Sequence, residues 1–133
     1  MSINEQMVRS IFVGLEQGDG DAFFEHVADD VDWTVMGTHP LAGHYSSKGA
    51  FKQDTFSKLG KVLPKGAQLR VTNVIVAGDT AVLELVSDAI ARNGMRFDNH
   101  YCWITRFDGE TIVEVRAYLD SAMVAELFRQ NPL

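Results

Sequence analysis

Four polar residues stand among apolar neighbours in the last third of the chain: Glu84, Asp88, Asn99 and Arg116. Because successive side chains of a strand point to opposite faces of a sheet, one face could carry such groups above an apolar floor. A carboxylate buried among aromatic rings has a raised pKa and can act as a general acid or base. An arginine can bind a carboxylate or an enolate oxygen through its fork of N–H donors. The pattern indicates acid-base chemistry on a small molecule held in a pocket.

The dipeptide Asn93-Gly94 decides which of these groups meet, because Asn-Gly is a strong hairpin signal. A two-residue hairpin places Glu84 beside Trp103 and Asp88 beside Asn99. A three-residue loop would instead turn the side chains of the partner strand to the other face. With the two-residue hairpin, Glu84 becomes the leading catalytic candidate because aromatic residues surround it.

Each polar candidate also has a purely structural interpretation. Glu84 could be solvated or paired with Arg116, and Arg116 could form a salt bridge across the sheet rather than bind a ligand. Asp88 lies near the hairpin end, where a solvated carboxylate is common. Asp120 shares the spacing of Arg116 and Tyr118 but directly precedes a helical pattern, which favours a helix cap.

The hydrophobic period predicts helices in the first half of the chain and strands in the second half. Ser2 and Glu5 form a capping box for a first helix that ends at Gly18, and a short second helix starts at Asp21. The other predicted elements are a strand over 31–36, a glycine-rich loop over 37–47, a helix over 48–62, strands over 69–76, 80–91, 96–107 and 111–119, and a final helix. This order predicts an α+β fold in which a curved antiparallel sheet wraps around the helices and leaves a cone-shaped pocket.

The composition limits the classes of function. The 133 residues fit one domain, predicted over 1–133, and the formal net charge of −6 argues against a nucleic-acid partner. A polar N-terminus without an apolar run of ~20 residues predicts a cytoplasmic protein with no membrane partner. The single cysteine, Cys102, cannot form an internal disulfide. The four histidines lack a close pair at ligand spacing, so neither a metal nor a cofactor is expected.

Several segments carry a family resemblance, and they are Ala28-Asp29-Asp30-Val31, Gly37-Thr38-His39-Pro40-Leu41-Ala42-Gly43, Phe97-Asp98-Asn99-His100-Tyr101 and Ile112-Val113-Glu114-Val115-Arg116-Ala117-Tyr118-Leu119-Asp120. With the order of elements, they resemble the nuclear transport factor two-like superfamily, especially its SnoaL-like, ketosteroid-isomerase-related branch. The resemblance implies a cystatin-like α+β barrel with a pocket for a small molecule. It also implies a homodimer formed through the outer face of the sheet.

The same resemblance shows which reactive groups are missing. In steroid-isomerase-like members the base position falls near Thr34, the tyrosine position near Ile11 and the acid position near Trp103. None of these residues supplies the proton chemistry of that reaction. Similarity to epoxide-hydrolase-like and polyketide-cyclase-like members puts Ala117 where an acid belongs. The resemblance therefore implies a pocket that lacks the catalytic residues of these related enzymes.

Together, these observations predict a cofactor-independent protein for a small apolar or aromatic ligand. The predicted catalytic residues are Glu84, Arg116 and Tyr101. The predicted ligand-binding residues are Trp33, Val35, His39, Phe51, Phe56, Leu59, Val86, Asp88, Asn99, Trp103, Ala117 and Leu119. Two functions remain open at this point. One is an isomerase-, cyclase- or hydrolase-like enzyme that uses acid-base chemistry, and the other is a non-catalytic ligand-binding or dimerisation module.

Overall fold

A computed structural model describes residues 3–133, which begin with helices and end with a sheet and one last helix. The helices are α1 (Glu5–Glu16), α2 (Gly20–Phe24), α3 (Lys48–Phe51), α4 (Ser57–Val62) and α5 (Ser121–Gln130), with a π-helical segment (Lys52–Phe56) joining α3 to α4. The strands are β1 (Val27–Val35), β2 (Gly43–Tyr45), β3 (Leu69–Ala77), β4 (Thr80–Ser87), β5 (Ala89–Ile90), β6 (Arg96–Phe97), β7 (His100–Asp108) and β8 (Thr111–Leu119). This arrangement confirms the predicted α+β class.

The helix α1 begins two residues later than a capping box at Ser2 would place it. The Asn4 side chain accepts a hydrogen bond of 2.8 Å from the backbone N–H of Met7 and so satisfies one of the free donors of the first turn. The predicted cap Ser2 lies outside the described residues. The apolar stripe of α1 is buried as its spacing predicts, and it consists of Val8, Ile11, Phe12 and Leu15.

The second predicted helix is shorter than expected, because β1 begins at Val27 rather than at residue 31. The backbone N–H of Ile112 in β8 donates to the carbonyl of His26 over 2.7 Å, and Val27 pairs with Ile112. This contact between distant parts of the chain outweighs the local helical pattern around Val27. The predicted loop over 37–47 also contains β2, a short edge strand that pairs with β1.

The main sheet has the strand order β2-β1-β8-β7-β4-β3, so it is open rather than closed into a barrel. The strands β3, β4, β7 and β8 form the predicted antiparallel meander, whereas β1 pairs with β8 in parallel. The sheet is therefore mixed. Register shifts in β1, β3 and β8 mark bulges, which bend strands and curve the sheet around the helices.

The hairpin at Asn93-Gly94 has the longer of the two loops that the sequence allowed. Ala91 and Met95 bond across a three-residue loop, and Gly94 adopts a φ of +91°. Glu84 is therefore paired with Cys102, and Leu83 is paired with Trp103. The expected placement of Glu84 beside Trp103 is wrong by one residue, which moves Glu84 to the opposite face of the sheet.

The two long strands of this hairpin are each interrupted, at Asp88 between β4 and β5 and at residues 98–99 between β6 and β7. The Ser87 hydroxyl donates to the carbonyl of Phe97 over 3.0 Å and accepts from the backbone N–H of Asn99 over 2.9 Å. Beyond this point β5 and β6 form a separate two-stranded ribbon. The helix α5, capped by Asp120 as predicted, contributes Val124 and Leu127 to an apolar cluster that contains Phe97.

A membrane span requires a helix of sufficient length and hydropathy. Within residues 3–133, none of the helices combines the length and the apolar character of a membrane span.

Candidate functional site

A cavity lies between the concave face of the sheet and the helical segments α3 to α5. Its walls include the predicted catalytic residue Tyr101 and many of the residues that the sequence predicted for ligand binding: Trp33, Val35, His39, Phe51, Phe56, Leu59, Trp103, Ala117 and Leu119. The register explains this grouping, because Val35, Trp103 and Ala117 lie side by side on β1, β7 and β8. The structure therefore brings these side chains together in one wall.

Other cavity residues were not singled out from the sequence, and they are Leu41, Thr55, Ala67, Leu69, Phe97 and Val124. A helical signal for Thr55 was present, because it lies four residues from both Phe51 and Leu59 in the predicted apolar stripe. The other residues come from loops, from the start of β3, from the two-stranded ribbon and from α5. Their approach to the cavity depends on tertiary packing that no local period reveals.

Five predicted site residues lie outside the cavity wall. Glu84 is exposed on the convex face, where it accepts a hydrogen bond of 3.1 Å from the Asn73 side chain. Val86 lies on the same face, where it pairs with Arg70 and His100. A one-residue difference in hairpin register separates Glu84 and Val86 from the concave face.

The other charged candidates take part in interactions outside the cavity. Asp88 is exposed and lies 3.8 Å from an Arg70 nitrogen. Arg116 donates to Glu114 over 3.1 Å on the convex face, so the predicted cross-sheet pair with Glu84 is replaced by one within β8. The Arg116 side chain is 42% exposed and the Glu114 side chain is 26% exposed, so this pair contributes little to stability.

Asn99 is fully buried, but its side chain connects β7 to α5 instead of facing a ligand. Its carbonyl oxygen accepts from the backbone N–H groups of His100 and Asp120, over 2.8 and 3.0 Å. Its amide nitrogen donates to the carbonyl of Asp120 over 3.3 Å. Both ends of the amide are therefore occupied, which supports a positioning role at the start of α5.

His39 lines the cavity as a neutral imidazole in a defined tautomer. Its Nε2 lies 3.0 Å from the carbonyl of Met36, which can only accept, so Nε2 carries the proton. The backbone N–H of Leu41 donates to Nδ1 over 3.2 Å. Burial lowers the pKa of His39, and the bond to Met36 acts in the opposite direction. Both nitrogens are occupied, so His39 secures the loop and is not a free base.

The loop around His39 also depends on Gly37, whose φ of +113° lies in a region that L side chains rarely adopt. A Cβ at this position would approach the Ser121 hydroxyl to 2.4 Å and the His39 ring to 2.9 Å. The close approach places the start of α5 directly against the loop. A glycine here therefore allows one edge of the cavity wall to close.

Tyr101 is the cavity residue whose protonation state is best suited to hydrogen bonding with a ligand. Burial raises the pKa of Tyr101 to about 12, while a side-chain hydrogen bond to Ser87 acts in the opposite direction. The phenol therefore stays protonated near neutral pH and remains a donor. Such a group can stabilise negative charge on a substrate oxygen, but it cannot remove a proton without help.

Two tryptophans form the aromatic centre of the wall. The Trp33 ring stacks on Phe51 with centroids 3.8 Å apart, and it meets the Trp103 ring edge to face at 5.2 Å. The indole nitrogens of Trp33 and Trp103 are both buried without a hydrogen-bond partner among the described residues. Both indole N–H groups therefore lie covered behind the cavity wall, and Tyr101 adds a hydroxyl to that wall.

The cavity is small in this structure, with a volume of about 50 Å³. A water molecule needs about 10–15 Å³ measured in this way, so there is room for roughly four waters. Phe56, half-buried in the π-helical segment, lines both this cavity and a surface groove of about 300 Å³ next to α2. A ring-sized ligand would require the wall to move, and Phe56 is the side chain that separates the two spaces.

The chemistry available in the cavity follows from this set of groups. Among residues 3–133, the cavity wall contains no carboxylate, lysine or arginine. No cluster of three potential metal-binding side chains occurs in the same part of the chain. The arrangement can enclose an apolar molecule and donate hydrogen bonds to its oxygens, and it has no ready base.

A sequence model of the SnoaL-like domain matches residues 8–115, which is most of the chain. The chain belongs to the SnoaL-like domain family. A relative is the dimerizing cyclase phiC of a fungal species, with 24% identity over 135 aligned residues that cover 98% of this chain. The chain spans only 59% of the length of that relative.

Two solved structures agree with the architecture described above. A protein of Burkholderia thailandensis called NTF2-like is 25% identical, with a TM-score of 0.79 over 92% of this chain and 95% of that chain. TerC, co-crystallised with polyporic acid, is 17% identical with a TM-score of 0.76, over 93% of this chain and 96% of TerC. These matches confirm the nuclear transport factor two-like fold that the sequence resembled.

Proposed function

We propose that this protein binds a small, mostly apolar organic molecule in its central cavity and acts on it, without a cofactor, as a cyclase- or isomerase-type enzyme. The observation that carries this proposal is an enclosed aromatic wall that contains Tyr101 in protonated form. A ring closure or isomerisation is accelerated when the cavity holds the reacting atoms close together. Donors such as the Tyr101 hydroxyl stabilise charge that develops on a carbonyl oxygen.

The relationship to a dimerizing cyclase supports the choice of reaction class. The alignment covers nearly all of this chain, including β7 and β8, which contribute Tyr101, Trp103 and Ala117 to the cavity. TerC, which shares the fold, was co-crystallised with polyporic acid. Because the chain spans only part of the cyclase relative, the reaction of that whole protein is a proposal for this one.

A non-catalytic ligand-binding module is the second candidate, favoured by one specific observation. His39 uses both ring nitrogens in the loop, and no carboxylate lines the cavity within residues 3–133. No group on the wall is therefore free to take a proton. Turnover of a bound compound would support the enzyme, whereas binding without turnover would support the module.

The experiment is a thermal-shift screen of small neutral lactones, epoxides and enones, followed by product analysis for each compound that binds. A ligand at 100 times its Kd stabilises the folded state by about 2.7 kcal/mol. Ala117→Ile fills the cavity from β8, and Arg116→Gln changes the neighbouring residue on the convex face. We expect the shift to disappear in the Ala117 variant and to persist in the Arg116 variant.

Two results would count against the proposed site. A hit that binds the Ala117→Ile variant as tightly as the wild type would place the binding site elsewhere on the protein. A screen in which no compound raises Tm would contradict the ligand-binding proposal itself.

We also propose a homodimer formed by the convex face of the sheet. Ile75 and Tyr118 are 56% and 43% exposed on this face, and Val82 and Ile104 lie between them as a half-buried pair. A second copy of the chain would cover these apolar groups. Light scattering at micromolar concentration should report twice the chain mass, and Ile104→Glu should reduce it to one chain. A wild-type monomer would contradict the proposal.

A further inference from the structure

Both tryptophans of the chain line the cavity, and neither indole N–H has a hydrogen-bond partner within residues 3–133. Trp33 is fully buried and Trp103 is 3% exposed. Buried donors are nearly always hydrogen-bonded in folded proteins, because an unpaired donor loses its bonds to water without replacement. Two such groups on neighbouring residues of one cavity wall therefore require an explanation.

The surroundings of the two indoles offer rings rather than oxygens. Trp33 stacks on Phe51, and Trp103 packs edge to face against Phe12 and Tyr101. An aromatic face is only a weak acceptor compared with a carbonyl oxygen. The missing partner is thus an acceptor that the folded chain does not supply.

The charge of the wall limits what that acceptor can be. Within the described part of the chain, no lysine or arginine lines the cavity, so a buried anion would remain unpaired at high cost. The raised pKa of Tyr101 reflects the same unfavourable environment for negative charge. A neutral carbonyl oxygen avoids this cost and accepts hydrogen bonds well.

We infer that Trp33 and Trp103 are the specificity-determining residues of the cavity and that they donate hydrogen bonds from Nε1 to the oxygens of a neutral, flat carbonyl compound. This inference rests on the proposed ligand-binding function and names the substrate class for the same site. Both nitrogens are covered in this structure, so an acceptor reaches them when the wall moves. Phe56 separates the cavity from the outer groove and is the side chain whose movement widens it.

The test compares phthalide, a neutral bicyclic lactone, with indane, which has nearly the same shape and no oxygen. We expect phthalide to bind the full chain about tenfold more tightly, which corresponds to one or two neutral hydrogen bonds. Because the chain has only two tryptophans, its ¹H–¹⁵N spectrum contains two indole signals, one for each donor. Phthalide should move these indole proton signals downfield, whereas indane should not.

Conservative variants separate donation from packing. Trp103→Phe and Trp33→Phe remove an N–H and keep an aromatic ring, so each should reduce the advantage of phthalide and leave the affinity for indane nearly unchanged. If a variant fails to fold, the wild-type spectra and the two affinities still decide the question.

Three results would contradict the inference, and they have different meanings. Equal binding of phthalide and indane would overturn the indole role while leaving the proposed cavity function intact. Tighter phthalide binding without movement of the indole signals would assign recognition to another donor, such as Tyr101. Failure of both compounds to bind would overturn the inference together with the proposed function.

Discussion

The two faces of the main sheet come from the same strands and have different chemistry. The concave face presents Leu83, Trp103 and Ala117 to a closed aromatic interior. The convex face begins one residue away along each strand. There Glu84 and Arg116 are partly or fully exposed to solvent, and they bond to Asn73 and Glu114, respectively. The comparison shows that the charged residues of this chain maintain the outer surface, while the residues near a ligand are apolar or neutral donors. A search for reactive groups that relies on charge therefore selects the wrong face.

The largest expected effect is a difference in the free energy of unfolding between variants at two adjacent residues of β4, Leu83 and Glu84. Leu83→Ala should destabilise the protein by about 2–5 kcal/mol, because Leu83 is fully buried and leaves a cavity. Glu84→Ala should change the free energy of unfolding by less than about 0.5 kcal/mol, because Glu84 is exposed. Urea denaturation of both variants measures the difference. Similar losses in the two variants would contradict the observed register.

The next effect is a loss of stability at alkaline pH caused by Tyr101. Its folded-state pKa of about 12 lies above the ordinary tyrosine pKa of 10.0, so only the unfolded chain releases the proton between these values. Stability is thus fully present below pH 10 and falls by about 2.7 kcal/mol as the pH rises to about 12. Tyr101→Phe should remove this part of the decline. A phenol absorbance titration in which all three tyrosines ionise together near pH 10 would be inconsistent with a buried Tyr101.

A third effect of about 1 kcal/mol should distinguish His39 from the other histidines. Burial lowers the pKa of His39 from its ordinary value of 6.5, so the unfolded state binds the proton at a higher pH than the folded state does. Its contribution is present above pH 6.5 and is lost as the pH falls through the lowered folded-state value. His39→Gln should weaken the loop at pH 7.5 by about 1 kcal/mol and flatten the acid side of the stability curve. His100→Gln, on the exposed surface, is the matched control, and an equal response of both variants would argue against the neutral tautomer.

The smallest effect concerns the ion pair between Arg116 and Glu114 on the convex face. Their partial exposure limits its contribution to about 0–1 kcal/mol, so Arg116→Ala should barely lower Tm. The affinity of any cavity ligand should also stay the same, because Arg116 does not line the cavity. Raising the salt concentration should reduce even this small difference. A large loss of ligand affinity in the variant would show that Arg116 reaches the bound molecule.

Some of the site could be predicted because periodicity identifies buried faces. The alternation of Trp33 and Val35 in β1 and the helical spacing of Phe51 and Leu59 both led to residues that line the cavity. Glu84 was misplaced because Asn93-Gly94 is compatible with loops of two and of three residues. No local pattern distinguishes these loops, although the choice changes which side chains face the cavity.

The sequence by itself determined the class of fold, the antiparallel meander and the apolar character of the interior, since these depend on patterns repeated over whole elements. Only the tertiary structure decided that β1 pairs with β8 in parallel, that the hairpin loop has three residues, and that the two indole donors share one cavity without partners. Each of these features depends on contacts between residues far apart in the chain. Such contacts are selected by the packing free energy of the whole domain, because the short segments involved have nearly equal local alternatives.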